Sequence, residues 1–211
     1  MREKTKIQTI GLVAQDCFSR NMKVIKFLLL TLFVIAYTFF SGIFLFYLIL
    51  PTPPFPSNPP DSLESTERGD TEDYKNRRAY FTDLSREEVL AYHEEELSTI
   101  SWRGFNITIP TYRLNYPPED AAIFIKELTR SVFLEEIVHP FRESFFVNGF
   151  VAKEPKDEII IEGREFQQKI TVRYYRSNSY VRVSLAILSL GLLLLVIREW
   201  YKTIFRTNGN S

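Results

Sequence analysis

The sequence predicts an α+β protein in which two apolar helices flank a domain built on an antiparallel sheet with two helices. Two uncharged apolar runs, 27–50 and 183–197, lie toward the two ends of the 211-residue chain. Between these runs, apolar and polar residues alternate in several short stretches, which is the period of a half-buried strand. Helix-start signals at Ser85 and Pro118 separate the stretches. This pattern predicts an α+β domain of about 100 residues.

The first apolar run is long enough to cross a membrane. It holds 24 residues between Lys26 and Pro51. At about 1.5 Å per residue a helix of this length extends about 36 Å, and the hydrocarbon core of a bilayer is about 30 Å thick. We therefore predict a transmembrane helix over 27–50. Neither this run nor 183–197 contains Asp, Glu, Lys, Arg or His, which favours an anchor over an ion or proton pathway.

The second apolar run needs its flanking residues to span a membrane, because it holds only 15 residues. Tyr180 and Arg182 precede it, and Trp200 and Tyr201 follow it. Tyrosine and tryptophan anchor helix ends at a membrane surface, and a boundary arginine can snorkel toward the headgroups. We predict a second transmembrane helix over 180–201. A buried core helix is the alternative that a run of this length also permits.

The uneven distribution of charge predicts the topology of the chain. Residues 1–26 carry six basic and two acidic residues, and residues 198–211 have a net charge of +2, whereas residues 61–180 carry 16 basic and 23 acidic residues. Basic segments beside membrane spans stay in the cytoplasm. We therefore predict a cytoplasmic N-terminal segment over 1–26, an extracytoplasmic part over 51–180 and a cytoplasmic tail over 202–211.

Cysteine usage indicates the compartment. Cys17 is the only cysteine, and it falls on the predicted cytoplasmic side, so we expect no disulfide in the extracytoplasmic domain. Disulfides are common at the surface of animal cells. This distribution therefore favours a bacterial cell envelope, and we predict an integral protein of a prokaryotic plasma membrane.

A linker is predicted between the first span and the folded domain. Residues 51–60 are rich in proline, which excludes a regular helix or a central strand, and residues 61–73 are acidic and poor in large apolar side chains. We expect a slack, mobile segment over 51–76 and a folded domain over 77–176. Because this domain ends close to the second span, we expect it to rest against the membrane on its C-terminal side.

The first half of the domain shows clear element signals. Residues 79–82 read as a short strand, and a capping box of Ser85 and Glu88 opens a helix that runs through Leu97. Alternating apolar residues then predict strands over 105–109 and 112–116. The final prediction for this half is a helix that begins at Pro118 and extends to about Thr129.

The second half is more ambiguous. Residues 131–150 have some apolar residues at helical spacing, but they are rich in aromatic and β-branched residues. We favour two strands, 132–138 and 143–150, over a helix that begins at Pro140. A hairpin around Gly163 is predicted to pair 158–162 with 166–175.

The predicted element order is similar to a ferredoxin-like arrangement followed by a C-terminal hairpin. The strand–helix–strand unit occurs twice in that order. The similarity concerns shape alone and implies no activity.

The chemical inventory of the chain is small. No phosphate-binding loop, dinucleotide-binding motif, nucleophile elbow or paired cysteine motif is present. The best metal-like cluster is Glu135, Glu136 and His139, but metal sites need three or four convergent ligands, and His93 lies in a separate helix. We expect a solvated glutamate pair with a structural histidine, no catalytic residue, no metal and no cofactor. The three glutamates at 94–96 are expected to face solvent.

Two sets of residues are candidates for contact surfaces. The first is an aromatic set that is expected to fill the core or, alternatively, to line a groove for a partner. The second is a basic set that could meet anionic lipid headgroups or, alternatively, form the polar outer face of a strand. The aromatic set is Phe141, Phe145, Phe146 and Phe150, and the basic set is Lys169, Arg173, Arg176 and Arg182, with Arg142 and Glu143 nearby.

These observations predict a non-enzymatic, two-pass membrane protein. Its extracytoplasmic domain is expected to bind a protein partner, or another copy of itself, close to the membrane lipid, and no nucleic acid. An alternative from another class is a small-ligand or sensory domain that signals through a separate partner. A third hypothesis, an envelope hydrolase that uses two facing carboxylates, ranks last because no sequence feature demands it.

Overall fold

The computed structural model describes residues 2–71, 75–126, 130–152 and 154–207. The chain forms two compact units, Met1–Tyr47 and Leu48–Ser211. Helix α1 (Arg2–Ile49) makes up the first unit and contributes its last residues to the second. By length and composition, two segments could cross a membrane, Val24–Ile49 and Ser179–Thr203. The prediction of two long apolar helices, one toward each end of the chain, is therefore confirmed.

In the part of the second unit that the structure describes there are ten short strands, three short or medium helices and a long C-terminal helix. In chain order the elements are β1 (Leu63–Glu64), α2 (Arg68–Thr71), β2 (Arg77–Thr82), α3 (Arg86–Ser98), β3 (Thr99–Trp102), β4 (Phe105–Thr108), β5 (Tyr112–Tyr116), α4 (Ala121–Phe124), β6 (Phe133–Val138), β7 (Ser144–Val151), β8 (Ile159–Ile161), β9 (Arg164–Phe166), β10 (Gln168–Tyr175) and α5 (Ser179–Thr207).

Six of these strands form one antiparallel sheet in the order β1-β2-β10-β7-β6-β5. The longest pairing joins β10 to β7, from Gln168 opposite Val151 to Tyr175 opposite Ser144. Two further hairpins, β3–β4 and β8–β9, are separate from this sheet. The α+β class and the antiparallel sheet are thus confirmed.

Helix α3 covers one face of the sheet. Successive side chains of a strand point to opposite faces, so alternate residues of each strand meet this helix. On β7, Phe145 and Val147 point to this face and pack in one cluster with Val89, Leu90 and Leu97 of the helix. The helix begins as predicted, because Ser85 accepts a hydrogen bond from the Glu88 amide and Glu88 accepts one from the Ser85 amide. This face holds the main core of the domain.

The opposite face of the sheet carries a smaller core under α4. Phe124 of the helix stacks on Phe146 of β7, with ring centroids 4.2 Å apart. Leu134, Ala121 and Ile125 complete this cluster. The sheet therefore buries apolar residues on both faces, with α3 on one side and α4 on the other.

The ambiguous stretch 131–150 forms two strands, so the preferred prediction is confirmed and the helix is wrong. Strands β6 and β7 pair in register from Phe133 opposite Gly149 to Val138 opposite Ser144. A tight turn joins them, in which the Arg142 amide donates to the His139 carbonyl at 3.0 Å. The aromatic and β-branched composition decides the conformation here because two sheet neighbours bury these side chains.

Two predictions about the elements that follow β5 need correction. The helix that starts at Pro118 is a 3-10 turn followed by α4. It ends at Phe124, and Lys126 then adopts a left-handed φ of 62°. The predicted end at Thr129 lies outside the described residues. The turn at Gly163 is confirmed, but β8 pairs with β9, while β10 pairs with β2 and β7.

The ferredoxin-like arrangement is wrong for the described residues. That arrangement needs the strand before α3 and the strand after it in one sheet, but β4 pairs with β3 outside the six-stranded sheet, and β2 lies between β1 and β10. Strands β5, β6 and β7 instead lie side by side in the sheet, in the order in which they follow one another in the sequence. Helix α4 therefore connects two adjacent antiparallel strands, β5 and β6.

The proline segment is packed against the domain, so the expectation of a slack linker is wrong. Pro53, Pro56 and Pro59 are buried, and Phe55 packs edge-on against Phe145 and Tyr174 at centroid distances of 5.8 and 6.0 Å. The acidic part that follows contributes β1, which pairs with β2. Proline removes backbone donors but leaves carbonyls and apolar rings, and this segment uses both.

Candidate functional site

The candidate site is a buried ionic cluster at one end of the sheet, where the segment from Leu48 to Pro51, the β6–β7 turn and the start of α5 lie together. Tyr175 ends β10 shortly before α5 begins, and it lies opposite Ser144, which follows the β6–β7 turn. The segment that leaves α1 reaches the same end. We call this cluster the junction and define it by the residues Leu48, Leu50, Pro51, His139, Arg142, Glu143 and Arg182.

Arg182 lies at the centre of the junction, in the first turn of α5, and only 6% of its surface is exposed. Its Nε donates to the Leu48 carbonyl at 2.6 Å, and its Nη2 donates to the Leu50 carbonyl at 2.5 Å. The last carbonyls of a helix have no partner within that helix. A guanidinium from a distant part of the chain therefore satisfies the carbonyls at the end of α1.

Glu143 supplies the negative charge of the junction. Its carboxylate lies 3.2 Å from Arg182 Nη1 and 2.9 Å from Arg142 Nη2, and its side chain is almost fully buried. Arg142 Nη2 also donates to the Pro51 carbonyl at 2.9 Å. Two guanidinium groups thus share one carboxylate, and backbone carbonyls provide the remaining acceptors. Burial of this excess positive charge is tolerated because each cation has oxygen ligands on several sides.

His139 completes the junction at the start of the β6–β7 turn. Its Nδ1 lies 3.2 Å from the Glu143 carboxylate, and its ring is buried. The His139 amide donates to the Glu143 carbonyl at 3.0 Å. The side-chain and backbone contacts between these two residues close the turn, so the turn is held to the same carboxylate that binds Arg182.

Tyr174 extends the junction into the proline segment. Its hydroxyl donates to the Pro53 carbonyl at 3.1 Å. Burial raises the pKa of this hydroxyl well above its usual value, which keeps it a neutral donor. The first residues after α1 are therefore held by three side chains from elsewhere in the domain, Arg182, Arg142 and Tyr174.

The junction binds backbone segments to one another. Its carboxylate and its guanidinium groups are buried and engaged with protein atoms, which suits a mechanical connection. Among the residues that the structure describes, no group of three His, Cys, Asp or Glu side chains could hold a metal ion.

The predicted aromatic set divides between the core and the surface. Phe145 and Phe146 are buried on opposite faces of the sheet, and Phe150 packs partly buried against a third cluster with Phe81. Phe141 alone is exposed, with 77% of its surface accessible, at the tip of the β6–β7 turn. The structure therefore does not bring the four rings together in one groove.

The predicted basic set is also divided. Lys169 binds Glu67 and Asp70 at 2.8 Å each, which raises the pKa of Lys169 against the opposing effect of its burial. Arg173 donates to the Phe124 carbonyl at 3.0 Å. Arg176 is exposed and lies over the Tyr174 ring. Arg182 does not snorkel outward as predicted, because it is enclosed in the junction.

The metal-like cluster is dispersed by the alternation of strand β6. Glu135 pairs with Arg86 on the α3 face. Glu136 accepts a hydrogen bond from the Tyr116 hydroxyl at 2.6 Å on the opposite face, which raises the pKa of Tyr116 to about 12. The expectation of a solvated glutamate pair is wrong, since Glu135 and Glu136 are only 2% and 7% exposed.

A second buried polar pair was not predicted from the sequence. The Tyr80 hydroxyl lies 2.6 Å from His93 Nε2 in the main core. Burial lowers the pKa of His93 to about 3 and raises the pKa of Tyr80 well above its usual value. Both side chains are therefore neutral near pH 7.

The three glutamates of α3 differ in exposure. Glu95 and Glu96 face solvent as expected, whereas Glu94 is half-buried in an ion pair with Arg113 at 2.8 Å.

The sequence offered a partial signal for the junction. The sequence shows a single arginine, Arg182, at the boundary of an apolar run, and it shows Arg142 and Glu143 as consecutive residues. Their association is not visible, because 39 positions separate Glu143 from Arg182 and 134 separate Leu48 from Arg182.

Comparison with family models, with curated proteins and with solved structures finds no match to this chain.

Proposed function

We propose that this chain is an integral membrane protein with two spans, both termini in the cytoplasm, and an extracytoplasmic domain that binds a protein partner or a second copy of itself at the membrane surface. The domain has a binding or assembly role and no catalytic one. The two apolar helices and the basic segments beside them support the topology.

The observation that carries this proposal is the junction. Arg182 at the start of α5 binds the carbonyls of Leu48 and Leu50 at the end of α1, so one buried cation holds both chain segments that lead to the apolar helices. A buried ion pair adds little net stability over well-packed apolar residues, and we infer that this one holds the two segments in a particular geometry. This arrangement suits a domain whose surface must be presented at a constant height and orientation above a membrane.

Strand β5 offers the contact surface. It is the last strand of the sheet at one edge, and edge strands present backbone groups that can pair with another chain. Tyr112 and Leu114 project exposed side chains from this strand. An edge strand with exposed apolar residues is a recurrent site of protein association.

The engaged state of the buried carboxylates supports a role without catalysis. Glu135 pairs with Arg86, Glu136 accepts from Tyr116, and Glu143 is shared by two arginines. A hydrolase mechanism with paired carboxylates needs two acidic groups that face a common cleft. Each of these three carboxylates instead stabilises a local contact.

Site-specific photo-crosslinking in native membranes tests the binding role. A photoreactive residue replaces Leu114 in the full chain, and the same residue at Ile160, an exposed apolar position in the β8–β9 hairpin, serves as the control. We expect a covalent adduct of higher mass from position 114 and none from position 160. Monomer alone at both positions, with a monomer on native purification, would contradict the proposal.

The topology has a separate test that uses the single native cysteine. A membrane-impermeant maleimide is applied to intact cells that express either the wild-type chain or the Asn106→Cys variant, Asn106 being exposed in β4. We expect no labelling of Cys17 in the wild type and labelling of the variant. Labelling of Cys17 before lysis would overturn the predicted sidedness.

A ligand-binding role is the second candidate, and one cavity favours it. An open cavity of about 370 Å³ lies between Arg86, Tyr116 and Phe133, which is near the lower end of the range for small-molecule sites. An anionic ligand there would share the Arg86 guanidinium with Glu135. Native mass spectrometry of the purified full chain tests this role, since a bound small molecule that is lost in an Arg86→Gln variant would support it.

A further inference from the structure

We propose that the β6–β7 turn is a third membrane contact, in which Phe141 inserts into the interfacial layer of the lipid bilayer. This inference rests on the proposed function, because it assumes that both apolar helices cross the membrane. It assigns the exposed aromatic of the predicted set to lipid instead of a protein groove.

The exposure of Phe141 distinguishes it from its neighbours. The ring is 77% exposed, while His139, Arg142, Glu143 and Phe145, which surround it in the sequence, are all buried. A large apolar side chain at the tip of an otherwise buried turn gains nothing from water. Its position favours an apolar environment outside the protein.

The backbone of the turn would suit glycine better than phenylalanine at position 141. Pro140 occupies the second position and Phe141 the third, and the Arg142 amide closes the turn onto the His139 carbonyl at 3.0 Å. The φ of Phe141 is +62°, a left-handed value that favours glycine at this position of a type II turn. A phenylalanine that is held in a disfavoured conformation points to a role for its ring.

The location of the turn places Phe141 at the level where the helices leave the domain. Arg142, the next residue, donates to the Pro51 carbonyl at 2.9 Å, and Glu143 binds Arg182 of α5 at 3.2 Å. The turn is therefore held directly against the two segments that lead to the apolar helices. If those helices span the membrane, the tip of the turn lies within the depth of the headgroup layer.

The aromatic residues around this end of the domain match a membrane interface. Tyr180 in the first turn of α5 is 83% exposed, and Tyr175 at the end of β10 is also exposed. Tyrosine and tryptophan concentrate at the boundary between lipid and water, where an aromatic ring enters the apolar side and the polar groups remain hydrated. The exposed Arg176 adds a cation that anionic headgroups would attract.

Depth-dependent quenching in vesicles tests the inference. The full chain, with Cys17→Ser as background, is reconstituted in phosphatidylcholine vesicles and carries one fluorophore-labelled cysteine at a time. The test variant is Phe141→Cys. Leu185→Cys, exposed within α5, reports on the span, and Ile160→Cys, exposed near the opposite end of the sheet, reports on the distal surface. Lipids that carry a quencher near the headgroup are then included in the vesicles.

We expect the probes at 141 and 185 to lose roughly half of their fluorescence to lipid quenchers, since both lie at bilayer depth, and the probe at 160 to lose little. Quenching at 185 without quenching at 141 would overturn this inference and leave the membrane spans intact. A blue-shifted but unquenched probe at 141 would indicate a protein contact and would also overturn it. Absence of quenching at 185 would reject the proposed membrane protein itself.

Discussion

Arg182 donates a hydrogen bond from Nε to the carbonyl oxygen of Leu48 at 2.6 Å and thereby joins two positions 134 residues apart in the chain. The contact satisfies a helix-terminal carbonyl that would otherwise lack a partner in a buried position. The same guanidinium binds Glu143 and the Leu50 carbonyl. One side chain therefore connects the end of α1, the β6–β7 turn and the start of α5.

Replacement of Arg182 is expected to destabilise the second unit strongly. The Arg182→Leu variant leaves Glu143 short of one cation and leaves the Leu48 and Leu50 carbonyls without their donor, a loss of about 3 kcal/mol in the free energy of unfolding. Arg182→Lys should lose less, because a lysine keeps the charge but not the planar fork. Urea titration of the full chain in detergent, followed by the fluorescence of Trp102 and Trp200, measures both effects.

The matched control for this change is Arg176→Leu, which removes the same side chain from an exposed position at the same end of the domain. We expect its free energy of unfolding to stay within about 0.5 kcal/mol of the wild type. Equal destabilisation by the two variants would show that Arg182 contributes no more to the free energy of unfolding than an exposed arginine does.

The Phe55→Ala variant tests whether the proline segment is part of the folded unit. Phe55 contacts Phe145 and Tyr174, and the Arg78 guanidinium lies 4.4 Å from the centre of its ring. Loss of these contacts should reduce the free energy of unfolding by about 2 kcal/mol. Urea titration against Phe105→Ala, which truncates a largely exposed ring, provides the comparison. A slack linker would make the two variants equivalent.

His93 should make the domain sensitive to acid. Its pKa is lowered from 6.5 to about 3 by burial, so between these values the unfolded chain binds a proton that the folded protein does not. Stability that is present above about pH 6.5 is therefore lost as the pH falls toward 3, by up to about 1.4 kcal/mol per pH unit. Denaturation midpoints between pH 7 and about pH 4.5 measure this slope.

The His93→Gln variant isolates the contribution of the histidine, because glutamine can still accept from the Tyr80 hydroxyl but does not titrate. We expect a lower stability at pH 7 and a flatter pH dependence than in the wild type. An unchanged slope in the variant would assign the acid sensitivity to other groups.

Glycine is required at position 149 because the Phe133 ring from β6 lies over β7 at this point. The two residues are paired across β6 and β7, and a Cβ at position 149 would overlap the Phe133 ring, which is buried. Gly149→Ala should lower the free energy of unfolding by about 2 kcal/mol, and Phe133→Leu should relieve part of this loss in the double variant. Gly69→Ala, with open space around its Cβ, is the control and should be nearly neutral. Thermal melts of the two single variants, the double variant and the Gly69→Ala control measure these changes. Additive losses of stability in the double variant would contradict this account.

Much of the fold was accessible from local patterns. The capping box of Ser85 and Glu88 is a local interaction, and it appears in the structure as the sequence indicates. The strands of β6 and β7 follow from their aromatic and β-branched composition. The extent of α4 was not accessible, because Lys126 after the helix adopts a left-handed φ of 62°, which its residue type does not indicate.

The proline segment shows why the rest was not accessible. Its composition indicates an absence of helix and strand, and both expectations hold for 51–60. Whether such a segment is mobile depends on what its rings and carbonyls meet. Phe55 and Pro53 meet Phe145 and Tyr174, which lie 90 or more positions further along the chain.

By itself, the sequence determined the two apolar helices, the α+β class and the helix start at Ser85, because each of these depends on composition or on residues within a few positions of one another. Only the tertiary structure decided that Arg182 is buried, that Glu143 is its partner and that Phe141 is the exposed ring. Those outcomes depend on which strand ends lie together, and an antiparallel sheet brings together residues that no local pattern relates.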